Sequence, residues 1–245
     1  MTTNDNICCA EHGEAIATYI CGHLAKNPAQ QWFCDFPTKE ISWPDAWCSK
    51  CNAAYLQEKE WNDKNEDCLD LQIICNHCYE SAIAASIDSP TGHVLEAWID
   101  TVTACHEALT KKQALLEADF SLSTHKRYDY DQSTATLVFS NDGIPAVIAE
   151  IELIGSISTI SNTWLWSWAN FHNLPKVRTR IKAIRDFGEE KGFTRLTVPK
   201  WNADSIDGWE VSGIATQVLD AHGVYRTPTA NGFLYMAITH IRHAP

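Results

Sequence analysis

The chain has 245 residues, 45% hydrophobic and 20% charged, which is ordinary for a folded soluble protein of one large domain or two small ones. No apolar run approaches the roughly 20 residues that span a bilayer, and the start, Met1-Thr-Thr-Asn-Asp5, lacks the basic and apolar segments of a secretory signal. A cytoplasmic location and no membrane partner are therefore expected, and the net charge of -12 speaks against nucleic acid as a partner.

That charge is unevenly placed. Residues 1–90 hold 14 acidic and 5 basic side chains, and residues 91–245 hold 17 and 14. An acidic front half attracts basic partners. The ten cysteines, in a chain read as cytosolic, favour metal ligation over disulfides, because cytosolic thiols stay reduced.

Residues 1–88 carry four short pairs: Cys9-x-x-His12, Cys21-Gly-His23, Cys48-x-x-Cys51 and Cys75-x-x-Cys78. Two closely spaced ligands clamp one side of a tetrahedral ion, so eight ligands suffice for two closed structural zinc sites. The segment reads as a small, loop-rich, zinc-stapled unit. Spacing leaves the pairing open between a cross-braced arrangement, first pair with third and second with fourth, and a sequential one. Cys8, Cys34, Cys68 and Cys105 are left over and read as small buried hydrophobes. Cys8 is an alternative to Cys9, but only Cys9 has the usual spacing to His12. His77, inside the last pair, is expected to point away. No His-Glu-x-x-His pattern supplies the open position and general base of a catalytic zinc.

Residues 89–122 read as a linking helix, with Val94, Leu95, Trp98, Ile99, Val102, Leu109 and Leu116 as an apolar stripe. Residues 123–245 read as an α+β domain, a largely antiparallel sheet with two helices. Strands are expected at 135–140 and 146–155 around the turn Asn141-Asp-Gly143, and at 193–198, 224–227 and 232–240. One helix is expected from an Asn173 cap, with Pro175 in its first turn, to Gly192; another is expected over 202–223.

Two further features invite chemistry. In Trp164-Leu-Trp-Ser-Trp-Ala-Asn170, a strand puts Trp164, Trp166 and Trp168 on one face, where they form a core wall, line a pocket or anchor a partner. Glu150 and Glu152 share a strand face, with Asp129 and Asp131 just upstream. Paired carboxylates suit acid–base work or a divalent cation, and Asn170 completes the candidate pocket. Lys176, Arg178, Arg180, Lys182 and Arg185 spread around one helix and read as a solvated face.

The front motifs, Cys9-x-x-His-Gly13, Thr18-Tyr-Ile-Cys-x-His-Leu24, Trp43-Pro-Asp-Ala-Trp-Cys-x-x-Cys51 and Ile74-Cys-x-x-Cys-Tyr79, resemble those of an uncharacterised bacterial family with a zinc-binding module. The rear motifs, Tyr130-Asp-x5-Leu-x-Phe139, Thr163-Trp-Leu-Trp-Ser-Trp-Ala-Asn-x-x-x-Leu-Pro175, Phe187-Gly188 and Gly223-x-Tyr-Arg226, resemble a bacterial domain of unknown function. Neither resemblance transfers an activity. In size and acidity such domains are similar to the immunity proteins that guard bacteria against their own toxins. The function expected is a non-enzymatic, immunity-type inhibitor of a toxin such as a nuclease. Its contact candidates are Glu58, Glu60, Asp63, Glu66, Asp67 and the three tryptophans. The alternatives are an enzyme with a carboxylate and tryptophan pocket in the rear domain, and a zinc-knuckle adaptor or regulator.

Overall fold

A computed structural model describes residues 6–35, 41–87, 92–131, 133–170 and 175–245. It is a mixed α+β protein that divides into two compact units. One comprises Met1–Ala97 with Gly188–Pro199, and the other Trp98–Phe187 with Lys200–Pro245.

In the first unit the strands are short, three to eight residues long. β1 (Asn6–Cys9) and β2 (Gly13–Ile20) form a hairpin. Next come α1 (Gly22–Lys26), β3 (Trp32–Cys34), β4 (Ala46–Cys48), α2 (Ser49–Glu58), a 3-10 helix (Glu66–Leu69), β5 (Gln72–Cys75) and α3 (Asn76–Ile87). β5 pairs antiparallel with β2, β3 pairs antiparallel with β4, and β4 joins β2 in parallel at Ile20 and Ala46. Buried Ile20, Leu24, Trp32, Tyr79 and Leu196 are among its core residues. The Trp32 and Tyr79 rings meet edge to face at 5.0 Å, and the Tyr79 hydroxyl donates to the Pro44 carbonyl at 2.7 Å.

α4 (Gly92–Phe120) is 29 residues long, about 44 Å, and confirms the expected helix. Trp98, Cys105, Leu109 and Leu116 are its buried stripe, and Val94, Leu95 and Ile99 are exposed instead. The second unit is a curled antiparallel sheet of β6 (Arg127–Asp131), β7 (Thr136–Asn141), β8 (Ile144–Ser158), β9 (Thr163–Trp166) and the strands that follow. β7 and β8 turn through Asp142 (φ 52°) and Gly143 (φ 83°), two left-handed residues that make the expected Asp-Gly hairpin. One face of the sheet packs Leu137, Phe139, Val147, Ala149, Ile151, Met236 and Ile238 around Leu116.

Farther along, α5 (Pro175–Lys191) starts at the expected proline, while the Asn173 cap lies outside the described residues. The strand expected at 193–198 is instead the short helix α6 (Thr194–Thr197). Gly192 (φ 72°) reverses the chain after α5, the Phe193 N–H bonds the Gly188 carbonyl, and Leu196 packs on Gly188. Tertiary packing overrides the β-branched composition there. β10 (Lys200–Asn202) pairs with β9. The helix expected over 202–223 is broken. Asn202 caps only a 3-10 helix (Ala203–Ser205), and a second cap, Asp207, starts α7 (Gly208–Val218). β11 (Gly223–Thr229) and β12 (Gly232–His243) follow as expected, slightly longer. Along β11, whose one strand partner among the described residues is β12, the Gln113 side chain takes Val224's N–H at 2.9 Å and donates to its carbonyl at 2.9 Å.

Candidate metal centres

The eight expected ligands gather into two tetrads, Cys9, His12, Cys75 and Cys78, and Cys21, His23, Cys48 and Cys51, whose donor atoms lie within 4.8 Å of one another. The pairing is first with fourth and second with third, neither of the two arrangements that spacing suggested. Strand pairing decides it. β5 lies along β2 with Cys75 opposite Ala17, and β4 meets β2 beside Cys21, whose N–H bonds the Ala46 carbonyl at 2.8 Å.

Three of the four pairs use one local device, a strand that ends on a cysteine and turns into a helix. Cys48 ends β4 and N-caps α2, which carries Cys51 in its first turn. Cys75 ends β5, and Cys78 lies one turn into α3. Cys21 follows β2 and caps α1, which carries His23. The pair Cys9 and His12 spans the turn of the β1–β2 hairpin.

The edges of these tetrads fit zinc. A tetrahedral ion with ordinary Zn–S and Zn–N bonds needs sulfurs about 3.8 Å apart and nitrogen–sulfur edges of about 3.6 Å. His12 Nδ1 lies 3.5, 3.4 and 3.5 Å from the sulfurs of Cys9, Cys75 and Cys78, and Cys9 and Cys78 are 3.9 Å apart. In the second tetrad Cys48 and Cys51 are 3.8 Å apart, and His23 Nδ1 is 3.4 Å from Cys51. Each leading cysteine also accepts backbone N–H bonds: Cys9 from Glu11 and His12, Cys21 from Leu24, Cys48 from Cys51 and Lys50, and Cys75 from Cys78. Amides aimed at sulfur favour thiolate, the form that binds metal.

Within each tetrad the thiols compete for charge. The Cys21 thiol, donating to Cys48, is the main cause that lowers Cys48 to about 5 against the opposing effect of burial, and Cys21 itself is pushed up by the same bond. Burial and the Cys48 charge raise Cys51 to about 12. In the first tetrad the Glu11 and His12 amides and the His12 ring hold Cys9 down at about 6, while burial and the neighbouring cysteines raise Cys78 to about 12. Three thiolates share so small a space only around a cation. Zinc bound there would act as a closed structural staple, with three sulfurs and one imidazole filling its four positions.

Access distinguishes the two tetrads. Cys21, Cys48 and Cys51 are no more than 1% exposed, whereas Cys9 and Cys78 are half-buried and His12 is exposed. His77 is exposed and stands outside the tetrad, as expected, with its ring 5.2 Å from that of His12.

The other candidates separate. Trp164, Trp166 and Trp168 are 0, 0 and 2% exposed, so of the three roles open to them they take that of a core wall and present no surface to a partner. Trp164 and Trp166 share a strand face and meet at 5.2 Å, but Trp168 has left the strand for a 3-10 helix, Ser167–Ala169, which Asn170 terminates. Gly155 is required beneath them, because a Cβ there would lie 2.5 Å from Trp164. Glu150 is exposed, while Glu152 is buried and ion-paired with Arg180 at 2.8 Å. Asp129 pairs with Arg127, and Asp131 accepts from Ser133 and Thr134. Glu152, Asp129 and Asp131 are thus engaged in separate local contacts, apart from exposed Glu150. Of the basic helix, Arg185 lies over the Trp168 ring at 5.4 Å and Lys182 is solvated.

Glu60, Asp63, Glu66 and Asp67 are exposed, and Glu58 is half-buried, 3.3 Å from Lys64. What sequence reasoning missed is how this acidic segment is mounted. Buried Asn65 accepts the Asn62 N–H at 2.8 Å and donates to the carbonyls of Glu60 at 2.9 Å and Ala54 at 3.4 Å. Beside it Trp47, Tyr55 and Trp61 form a ring-to-ring trio at 5.3 to 5.5 Å. The available signal was the position of Trp47 and Tyr55, one residue before Cys48 and four after Cys51.

Among the described residues no helix is long and apolar enough to cross a membrane. No curated protein and no solved structure matches the chain. A family model does match residues 99–241, and on that match the chain belongs to DUF6882, a family of unknown function.

Proposed function

We propose that the chain is a non-enzymatic binding protein, an immunity-type inhibitor that neutralises a bacterial toxin with a basic cleft, such as a nuclease, by direct contact. The observation that carries this reading is the acidic segment between α2 and β5, held by hydrogen bonds of buried Asn65. Its carboxylates project from a backbone pinned by Asn65, backed by the Trp47, Tyr55 and Trp61 rings and rooted at Cys51 in the second tetrad. A surface ordered before it meets its partner loses little entropy on binding, and its charge speeds encounter with a basic cleft. Half-buried Trp61 and exposed Leu56, at 61%, are the apolar contacts this segment offers in place of the buried tryptophans. With zinc in both tetrads, each site adds a net charge of about -1 to a unit already acidic.

The test is co-expression. The product of the adjacent upstream reading frame is expressed in a naive host with and without this chain. Relief of its toxicity supports the reading. A variant with Glu58, Glu60, Asp63, Glu66 and Asp67 changed to lysine should lose protection, and its association should be slower and no longer weakened by salt. Full protection by that variant removes this contact surface.

A further inference from the structure

We propose that the first tetrad is also a modification site, in which hydrogen peroxide oxidises Cys9 and Cys78 to a disulfide and so opens that metal centre while the second stays closed. This inference goes beyond the binding role and does not depend on it.

The two tetrads use the same donors, three cysteines and a histidine whose Nδ1 faces the sulfurs, so ligand chemistry does not separate them. Access does. A peroxide must bring its O–O bond up to a sulfur, and exposure governs which thiolates it reaches. In the second tetrad every sulfur is sealed at 1% exposure or less. In the first only Cys75 is sealed, at 1%, while Cys9 and Cys78 are half-buried and the His12 ring beside them is open to solvent. The two accessible sulfurs are neighbours, 3.9 Å apart, on segments 69 residues apart in sequence.

The chemistry balances without a further reactant. One thiolate attacks peroxide, breaking O–O, forming a sulfenic acid and releasing hydroxide. The second thiolate attacks that sulfur, forming S–S and expelling a second hydroxide. Both hydroxides take protons from solvent, so the sulfurs lose two electrons and the peroxide becomes two waters. Only His12 and Cys75 then remain as ligands, too few to keep the ion. Nearby Cys8 is an exposed thiol, but on β1 it projects to the face opposite Cys9 and stands outside the tetrad. Its oxidation leaves the ligands intact, which makes it an internal control.

The experiment uses the full chain carrying two zinc ions, confirmed by metal analysis, with hydrogen peroxide as oxidant and a chromogenic chelator reporting release. The expected result is one ion released at least about tenfold faster than the other, with peptide mapping placing the new disulfide between Cys9 and Cys78. The Cys8→Ser variant should behave identically. Cys78→His, which keeps four ligands but cannot form the bridge, should slow the fast release to the rate of the second ion. Simultaneous loss of both ions, fast release without that crosslink, or fast release that needs Cys8 overturns the proposal, as does a chain that binds fewer than two ions.

Discussion

Replacing Cys48 with serine should unfold the first unit. Cys48 is 1% exposed, ends β4, N-caps α2, holds the N–H groups of Lys50 and Cys51, and faces Cys21 and Cys51 in the buried tetrad. A structural zinc site contributes on the order of 10–16 kcal/mol of apparent binding energy at neutral pH. A unit of this size has a net stability of only about 5–15 kcal/mol. Removing one thiolate of three gives up a large part of the first quantity, which is comparable to the whole of the second. Two buried thiols are left competing for protons as well. The expected outcome is a chain that binds one ion fewer by metal analysis and loses near-ultraviolet circular dichroism from Trp32, Trp47 and Tyr79. The same substitution at Cys9, half-buried at the hairpin turn, should be milder. A Cys48→Ser protein with unchanged melting and metal content would refute the argument.

Three smaller perturbations test the packing. Gly155→Ala drives a methyl into Trp164 and the Leu165 carbonyl, and should cost about 1–3 kcal/mol in urea unfolding. Asn65→Ala leaves the Asn62 N–H and the Glu60 and Ala54 carbonyls without its amide. It should cost about 1–3 kcal/mol and speed hydrogen exchange across the acidic segment. Gln113→Ala bares the Val224 N–H and carbonyl. It should cost a similar amount, about 1–3 kcal/mol, and raise concentration-dependent association through the β11 edge, readable by light scattering.

The identity of the metal ligands was legible because a spacing of two or three residues constrains local geometry directly. Which pair meets which was not, because it depends on β5 lying beside β2, and four-residue β5 has no readable alternation. The long periodic α4 and the Asp-Gly hairpin of β7 and β8 could be read, since each is specified within its own window. At 193–198 a β-branched composition lost to packing on Gly188, and at 202–223 the second cap at Asp207 outweighed the continuous pattern. The tryptophan run shows a further limit. Alternation put Trp164 and Trp166 on one face, but a period of two does not say whether that face meets water or the interior.

The nested pairing of the ligands also sets an order of assembly. His23 and Cys51 of the inner tetrad are 28 residues apart, whereas His12 and Cys75 of the outer one are 63 apart. Closing the longer loop from an unfolded chain costs about 0.7 kcal/mol more in entropy. Once the inner tetrad is clamped, part of the outer loop is already short-circuited. The inner set is also complete when synthesis reaches Cys51, while the outer waits for Cys78. Nascent chains should therefore load metal from the inside outward. Cobalt titration of the unfolded chain, with thiol alkylation and peptide mapping at each step, should show Cys21, Cys48 and Cys51 protected first and Cys9, Cys75 and Cys78 last.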